Sequence, residues 1–514
     1  MSEHIGVVGL ACLDTVLVVE QYPSVDTKNV TKSSHEFGGG NGATVAIVVQ
    51  RLLGGRPPAR PEGQEDQHSC ENDGDHDHTS TSESAQHTSK LYYSCPHQVV
   101  VQFVAPIFND EAGRKVQKEL AAEGLSLAYA DFSNADTGRT GHSYIILDEQ
   151  THGRTIFHTT QEPRSSLLLP GEEFFQKLMR PSTGVAPRRA GRGGILFTDG
   201  RFEDTALEIL KRAAELFIDI LMDCERLRSS CTREMLDYCT VISCSETFLT
   251  ILENQERLEK QKRGHQSGNK DGAVVEDDET PPEQAAVEDS ASTITSAAAL
   301  PEVVAVVLPQ SQQDNAIARE ASGPAKIQKA AAQLRRFLAR KKVEEQNRRL
   351  RFAVVTLGEY GAVVGWIADD RNKEWDDSTR REAGPPQLSP AQPLLEEHFH
   401  IYHVPAWLPP GAAVVDTCGA GDAFNGGLVY AYAQGAAGAQ RGRSECWENP
   451  CAQVLFASAV AGHSVTQLGA RTAIPKLMRK KEVVQEFEDV MAQLGCPLRV
   501  SDCVRLVQVE ENKS

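Results

Sequence analysis

Val414-Val-Asp416-Thr417-Cys418-Gly419-Ala420-Gly421-Asp422-Ala423-Phe424-Asn425-Gly426-Gly427 is the most informative stretch of this chain. Small residues stand where the chain turns into an apolar helix starting at Ala423. With little side chain to cover them, the backbone N–H groups of Gly419, Ala420 and Gly421 point outward at a helix N-terminus. That is an anion site suited to phosphate. A carboxylate at Asp422 does not suit a pure phosphate cradle. It suits a site where the carboxylate takes a proton while the backbone stabilises charge on a transferring phosphoryl group. A glycine-rich helix cap with an aspartate in its first turn has the same letters, so the Gly-Ala-Gly-Asp tetrad alone leaves both readings open.

Working outward, strands alternate with helices. A strand over Ile5-Gly-Val-Val-Gly-Leu-Ala-Cys12 and another over 15–19 precede the turn Gly38-Gly39-Gly40-Asn41 and an apolar helix over 42–53. A strand over 98–105 and a helix over 109–124 come next. Strand runs at 141–147 and 154–159 flank a polar turn and read as a hairpin. Strands at 195–198, 216–222, 240–243, 352–356 and 362–366 alternate with helices at 204–215 and from Glu246, and 398–500 reads as a strand followed by helices. This is an α/β pattern. Three polar stretches, 56–90, 261–324 and 370–396, hold too few large apolar side chains to offset the entropy of ordering them, and read as low-complexity insertions. A basic helix over 325–349 reads as an amphipathic surface helix. Setting the insertions aside leaves roughly 350 residues, the size of one large domain rather than the three or four that 514 residues would imply.

The balance of 71 acidic against 53 basic residues gives a net charge of -18, which argues against nucleic acid or an anionic membrane as partner. No apolar run approaches the roughly 18 residues that span a bilayer. The first apolar run is broken by Asp14 and lacks a basic lead-in, so a cytoplasmic location is expected. The 12 cysteines form no Cys-x-x-Cys pair and are expected to be mostly free thiols. The tract Asp75-His76-Asp77-His78 has no second ligand cluster and reads as solvated linker.

The extended motif Asp-Thr-x-Gly-Ala-Gly-Asp-x-Phe-Asn-Gly-Gly resembles the C-terminal signature of the PfkB or ribokinase family of carbohydrate kinases. Gly38-Gly39-Gly40-Asn41-Gly42-Ala43 resembles the family's N-terminal signature. Phe108-Asn109-Asp110-Glu111-Ala112-Gly113 is similar to its Gly-x-Asp-x-x-Gly element, with Phe108 in place of the glycine. Thr356-Leu-Gly358-Glu-Tyr-Gly361 resembles its nucleotide-side strand and turn. Within the family, Gly9-Leu-Ala-Cys-Leu-Asp14 with Gln21-Tyr22-Pro23 and Asp26, Gly153-Arg154-Thr155-Ile156, and Asp199-Gly200-Arg201 are most similar to ketohexokinases.

The resemblance implies a ribokinase-like three-layer αβα sandwich with a small β-sheet lid, one kinase domain threaded through 1–514, and ATP-dependent phosphorylation of a sugar hydroxyl. The sugar it implies is a ketohexose such as fructose. Ribose or a nucleoside on the same fold, and a non-catalytic sugar or nucleotide sensor, are the alternatives. By resemblance Asp422 is the base and Gly419, Ala420 and Gly421 the anion hole. Asp14, Asp26, Gly40, Asn41 and Thr44 would face the sugar. Arg154, Thr356, Gly358 and Gly361 would serve the nucleotide with the anion loop. Fructose-binding members carry an asparagine where Thr44 stands. The family's Asn-x-x-Glu motif falls near Ser243–Phe248, where one register lacks the glutamate and another keeps Glu246. Mg²⁺ would then be held mainly by ATP and water, and a K⁺ by Asp416. A homodimer through the lid is implied as well.

Overall fold

The computed structural model of the chain describes residues 4–53, 100–129, 138–151, 153–163, 167, 169–179, 194–267, 310–343, 349–368, 399–441, 445–474 and 487–505. The stretches 56–90 and 370–396 and the Asp75-His76-Asp77-His78 tract lie outside them. In chain order the elements are β1 (His4–Val8), β2 (Cys12–Val19), β3 (Ser33–Gly39), α1 (Asn41–Leu52), β4 (Val100–Val104), α2 (Glu111–Ala122), β5 (Gly141–Asp148), β6 (Arg154–Thr159), α3 (Glu172–Met179) and β7 (Ile195–Thr198). Next come α4 (Glu203–Glu215), β8 (Asp219–Cys224), α5 (Ser230–Met235), β9 (Val241–Ser245), α6 (Glu246–Ser267) and α7 (Gln310–Val343). The remainder comprises β10 (Phe352–Thr356), β11 (Ala362–Ile367), β12 (Phe399–Val404), α8 (Ala420–Arg441), α9 (Pro450–Ser464), α10 (Phe487–Gln493) and β13 (Val504–Arg505). Two compact units contain them: Met1–Leu249 with Ile327–Ser514, and Thr250–Lys326. The described part of the second is the helical stretches 250–267 and 310–326.

The first unit is built on a nine-stranded sheet ordered β13-β12-β11-β10-β9-β8-β7-β1-β4. From β4 to β10 every neighbour is parallel, and β11, β12 and β13 add antiparallel. Strands such as Phe-Ala-Val-Val-Thr and Ala-Val-Val-Gly-Trp-Ile are buried along almost their whole length, as a sheet covered on both faces requires. Val7, Phe103, Phe197, Val354 and Trp366 share one face and one core with α1, α8 and α9. The opposite face carries α3 and α7. A Cβ on Gly6 would lie 3.0 Å from Phe174 and 3.1 Å from Leu178, and one on Gly365 3.1 Å from Leu334. Helices therefore cover both sides, and the three-layer αβα sandwich of the ribokinase-like fold is formed.

A separate four-stranded sheet, ordered β3-β2-β5-β6, pairs β2 with β5 in parallel and the outer strands antiparallel. It contains the expected hairpin and the run at 15–19. Its third partner, β3, is a polar edge strand whose Ser-Ser-His-Glu start gave no apolar signal.

Several boundaries differ from the sequence reading: the strand expected over 5–12 ends at Val8, with Cys12 opening β2, and the helix expected from Ala423 begins at Ala420. The polar stretch 261–324 is helical at both ends, because α6 continues to Ser267 and α7 begins at Gln310. Those ends are rich in Gln, Glu, Lys, Arg and Ala, good helix formers whatever their hydropathy. The strand expected from residue 216 begins at Asp219. Leu216 ends α4 and Phe217 turns with φ 56°, which uses up the first residues of the run.

The Gly-x-Asp-x-x-Gly-like element has a mechanical role. Asp110 caps α2, accepting the Gly113 N–H at 2.9 Å, and holds the start of β5 through the Thr140 N–H at 3.0 Å and hydroxyl at 2.6 Å. Gly113 is needed because a Cβ there would stand 1.8 Å from the Phe108 carbonyl oxygen. Asp110→Ala is expected to lose about 1–3 kcal/mol of stability, read as a lower urea midpoint at unchanged slope. An unchanged midpoint would show that water replaces these bonds at no cost.

Candidate active site

In open parallel sheets, ligands collect beyond the carboxyl ends of the strands. Leu10, Asp199, Asp223, Ser245 and Thr356 lie at or just after those ends of β1, β7, β8, β9 and β10. Gly40 precedes α1 with φ 94°, and a Cβ on it would lie 2.4 Å from the Leu10 carbonyl oxygen, so only glycine lets the two turns touch. Asp199 locks the same junction from below. Its buried carboxylate accepts the N–H groups of Leu10 at 2.7 Å, Gly42 at 3.1 Å and Arg201 at 3.1 Å.

The lid supplies Asp14. A Cβ on Gly39 would lie 2.0 Å from its carboxylate, so the carboxylate lies directly against the glycine turn that leads to Asn41. Burial raises the Asp14 carboxyl, while bonds from Ser143 and Cys12 and the charges of Arg471 and His158 work against that rise. Cys12 Sγ donates to it at 3.3 Å, and Ser143 also meets His158 Nδ1 at 3.1 Å. Arg154, at the start of β6, donates to the Thr417 hydroxyl and so brings the lid onto the anion loop.

In that loop Gly419 has φ 73°, and a Cβ on it would lie 2.2 Å from Ala470 Cβ. Ala420 opens α8, so the first-turn N–H groups have no acceptor within the helix. A Cβ on Gly421 would meet nothing within 4 Å, so that turn faces open space. Asp422 stands in the same turn, partly covered. Its carboxyl is pushed up to about 7, first by burial and then by the charges of Glu225 and Asp199, with Arg471 and Arg201 opposing. Asp223 is raised as well, by burial and then by Asp422, Glu225 and Asp199. Cys418 is pushed up to about 12, mainly by burial, so it is a packed thiol beneath the lid rather than a reactive thiolate. The ten described cysteines are all free.

Other predicted residues are placed differently. Thr44 is buried, and its hydroxyl accepts Arg471 Nε at 3.2 Å. Asp26 is exposed in the β2–β3 loop with φ 61°, and among the described residues no hydrogen bond joins it to this cluster. Asp416 spends one oxygen on the Cys418 N–H at 2.8 Å and the other on the Gly469 N–H at 3.0 Å. Ser245 caps α6 through the Phe248 N–H at 3.2 Å, and Glu246 pairs with Lys329 at 2.6 Å. Thr356 ends β10, its hydroxyl 3.4 Å from the Cys244 carbonyl. Gly358 and Gly361 follow with φ 62° and 83°, and a Cβ on Gly361 would lie 2.1 Å from the Val404 carbonyl oxygen.

Sequence reasoning missed Asp223, Glu225, His158 and Arg471. The first two sit in Met-Asp-Cys-Glu-Arg, charges crowded at a strand end, which was the available signal. Arg471 follows a helix through an unremarked Gly-Ala and gave none.

Comparison with known proteins adds to this geometry. Residues 397–477, which include the anion loop and Asp422, match the pfkB family carbohydrate kinase model. No curated protein matches the chain. Among solved structures, a provisionally assigned ribokinase from Agrobacterium tumefaciens is 14% identical with a TM-score of 0.51, covering 96% of this chain and 98% of its own. A fructokinase with bound ATP from Xylella fastidiosa is 17% identical with a TM-score of 0.47, covering 96% and 98%. An Arabidopsis thaliana ribokinase complexed with ribose and ATP is 15% identical with a TM-score of 0.46, covering 96% and 99%. The family segment carried on this fold indicates a carbohydrate kinase.

Because the Asp422 carboxyl is raised, the folded chain holds that proton more tightly than the unfolded chain. Ionising it costs stability progressively as pH rises from about 4 to about 7. Asp422→Asn is therefore expected to melt higher than the wild type at pH 8, with the difference shrinking toward pH 5. Equal melting temperatures at both pH values would show that the carboxylate carries no such cost.

Proposed function

We propose that this protein transfers the γ-phosphoryl group of ATP to a hydroxyl of a ketohexose such as fructose. The observation that carries the reading is Asp422: a carboxyl poised near neutrality beside first-turn N–H groups that face open space. A base with this pKa takes a proton from the attacking hydroxyl at neutral pH without being wholly protonated itself. Gly419, Ala420 and Gly421 hold the charge that builds on the transferred group. Asp14, Gly40 and Asn41 orient the sugar, and Arg154 neutralises phosphate from the lid side. Thr356, Gly358 and Gly361 leave backbone for the nucleotide. The ketohexose assignment rests on the sequence resemblance. Thr44 accepts from Arg471 at the place where fructose-binding relatives carry an asparagine, which leaves its hydroxyl proton as the one donor it could offer a sugar.

Mg²⁺ would arrive with ATP, its role being to neutralise phosphate charge. Among the described residues no three His, Cys, Asp or Glu side chains are grouped to hold a metal. Asp223 and Glu225, crowded against Asp422, are the carboxylates that a water-clad Mg²⁺ would meet. A K⁺ at Asp416 would share oxygens that already accept two N–H groups.

The lid's outer face supports a homodimer. Tyr144 and Phe157 lie opposite each other on β5 and β6, 47% and 55% exposed, and form an apolar patch that a second copy would cover. No helix among the described residues is long and apolar enough to cross a membrane. We take the protein to act in the cytoplasm.

Incubation with ATP and Mg²⁺ across fructose, tagatose, ribose and adenosine tests the substrate. Phosphorylation of adenosine with no turnover of a ketohexose would overturn the assignment. The pH profile of kcat/KM should rise toward a plateau above about pH 7. Asp422→Asn should lose at least about 10²–10⁴-fold in kcat while still binding ATP. Wild-type protein that binds both ligands without transfer would make it a sensor instead.

A further inference from the structure

Segment 469–471 touches both halves of the site. The Gly469 N–H donates to Asp416, whose other oxygen holds the Cys418 N–H. Ala470 packs against Gly419 so closely that no side chain fits between them. Arg471, only 6% exposed, spends every guanidinium nitrogen on the opposite half. Nε donates to the Thr44 hydroxyl at 3.2 Å, Nη2 to the Gly39 carbonyl at 2.9 Å and Nη1 to Glu119 at 2.7 Å. The second oxygen of Glu119 accepts the Gly38 N–H at 2.6 Å. Arg51, itself paired with Glu123, donates to the Arg471 carbonyl and fixes the main chain there.

We propose that Arg471 is a positioning residue that sets the spacing between the Gly38–Asn41 turn and the 416–422 loop, and thereby the placement of a bound sugar against Asp422. The second half of that statement rests on the kinase reading; the first does not. Three acceptors on three elements, β3, α1 and α2, must be met at once, and the planar fork of arginine does so. An ammonium group at the end of a lysine is a single point and reaches one or two of them. Without the guanidinium, a buried carbonyl, a buried hydroxyl and a carboxylate lose this partner together, and the turn loses its tie to segment 469–471. The two segments also carry the groups that must meet in the reaction, since Asp14 lies against Gly39 and Asp422 follows Gly419. A shift of about 1 Å between such groups is enough to cost about 10²-fold in rate.

The test uses full-length protein with Arg471→Lys and Arg471→Met, and Glu119→Gln as a variant that keeps shape but weakens the guanidinium's anchor. Hydrogen exchange is followed in peptides spanning 38–44 and 416–422, and KM for sugar and for ATP is measured separately. Arg471→Lys is expected to speed exchange in both peptides. kcat should fall about 10²-fold and sugar KM should rise about tenfold or more, while ATP KM stays within about twofold. Glu119→Gln should show the same pattern, weaker. Loosening confined to 38–44, loosening spread evenly over the whole chain, or equal rises in both KM values would overturn the proposal. If Arg471→Met does not fold, the other two variants decide. If the wild type transfers no phosphoryl group at all, the kinase reading falls, and the exchange data still settle whether Arg471 couples the two segments.

Discussion

A carboxylate kept partly out of water at the head of an apolar helix is the constraint on which this molecule depends. Burial and the neighbouring charges of Glu225 and Asp199 make Asp422 reluctant to ionise, and Arg471 and Arg201 limit that reluctance. Too little of either would leave an ordinary surface aspartate or a permanently protonated one. The rest of the first unit can be understood as the framework that holds this balance. Asp199 fixes the β1–α1 junction, Asp416 ties the anion loop to Gly469, and α8 is packed into the core through Ala423, Leu428 and Val429.

The lid is connected to that framework rather than merely resting near it. Val16, Ile145 and Leu147 form a small apolar cluster that also takes in Cys418 from the anion loop. Arg154 reaches Thr417 from the opposite edge of the same sheet. Asp14 is inserted between the lid and the Gly39 backbone, where only glycine leaves room. Movement of the small sheet must therefore move Asp14, Arg154 and the packing of Cys418 together, so it would alter both the Gly39 turn and the 416–422 loop.

Much of this was legible in the sequence because it is written in local chemistry. Gly419 and Gly421 announce a turn into a helix, which α8 supplies, and buried β-branched runs such as Phe352–Thr356 announce a sheet covered on both faces. The hairpin with β5 and β6 followed from two strand runs around a polar turn. What was not legible depends on distant partners. Thr44 reads as a substrate contact from its neighbours in sequence, yet its hydroxyl is taken by a residue 427 positions away. Asp416 reads as a possible cation ligand, yet Gly469 already occupies one of its oxygens. Neither register at Ser243–Phe248 could be chosen by pattern; the cap at Ser245 and the Glu246–Lys329 pair are three-dimensional facts. Polar composition also hid helix at both ends of 261–324, because hydropathy reports burial and not backbone propensity.

The overall acidity, -18 on 514 residues, is at odds with a site proposed to bind a polyanion, and the geometry resolves it by range. Charges separated by more than a Debye length, about 8–10 Å at physiological salt, are largely screened when they face solvent. What a phosphate would meet at short range is Arg154 beside Thr417, Arg201 near Asp422, and the positive end of the α8 dipole at Ala420. Of the carboxyls that share this space, Asp422 is pushed up to about 7, so at neutral pH it is only partly ionised and presents less negative charge. The same desolvation that raises Asp422, the base in the proposed reaction, therefore also makes the mouth of the site less hostile to an anion. The proposed base strength and phosphate tolerance would be two consequences of one arrangement, so solvating this cluster would weaken both.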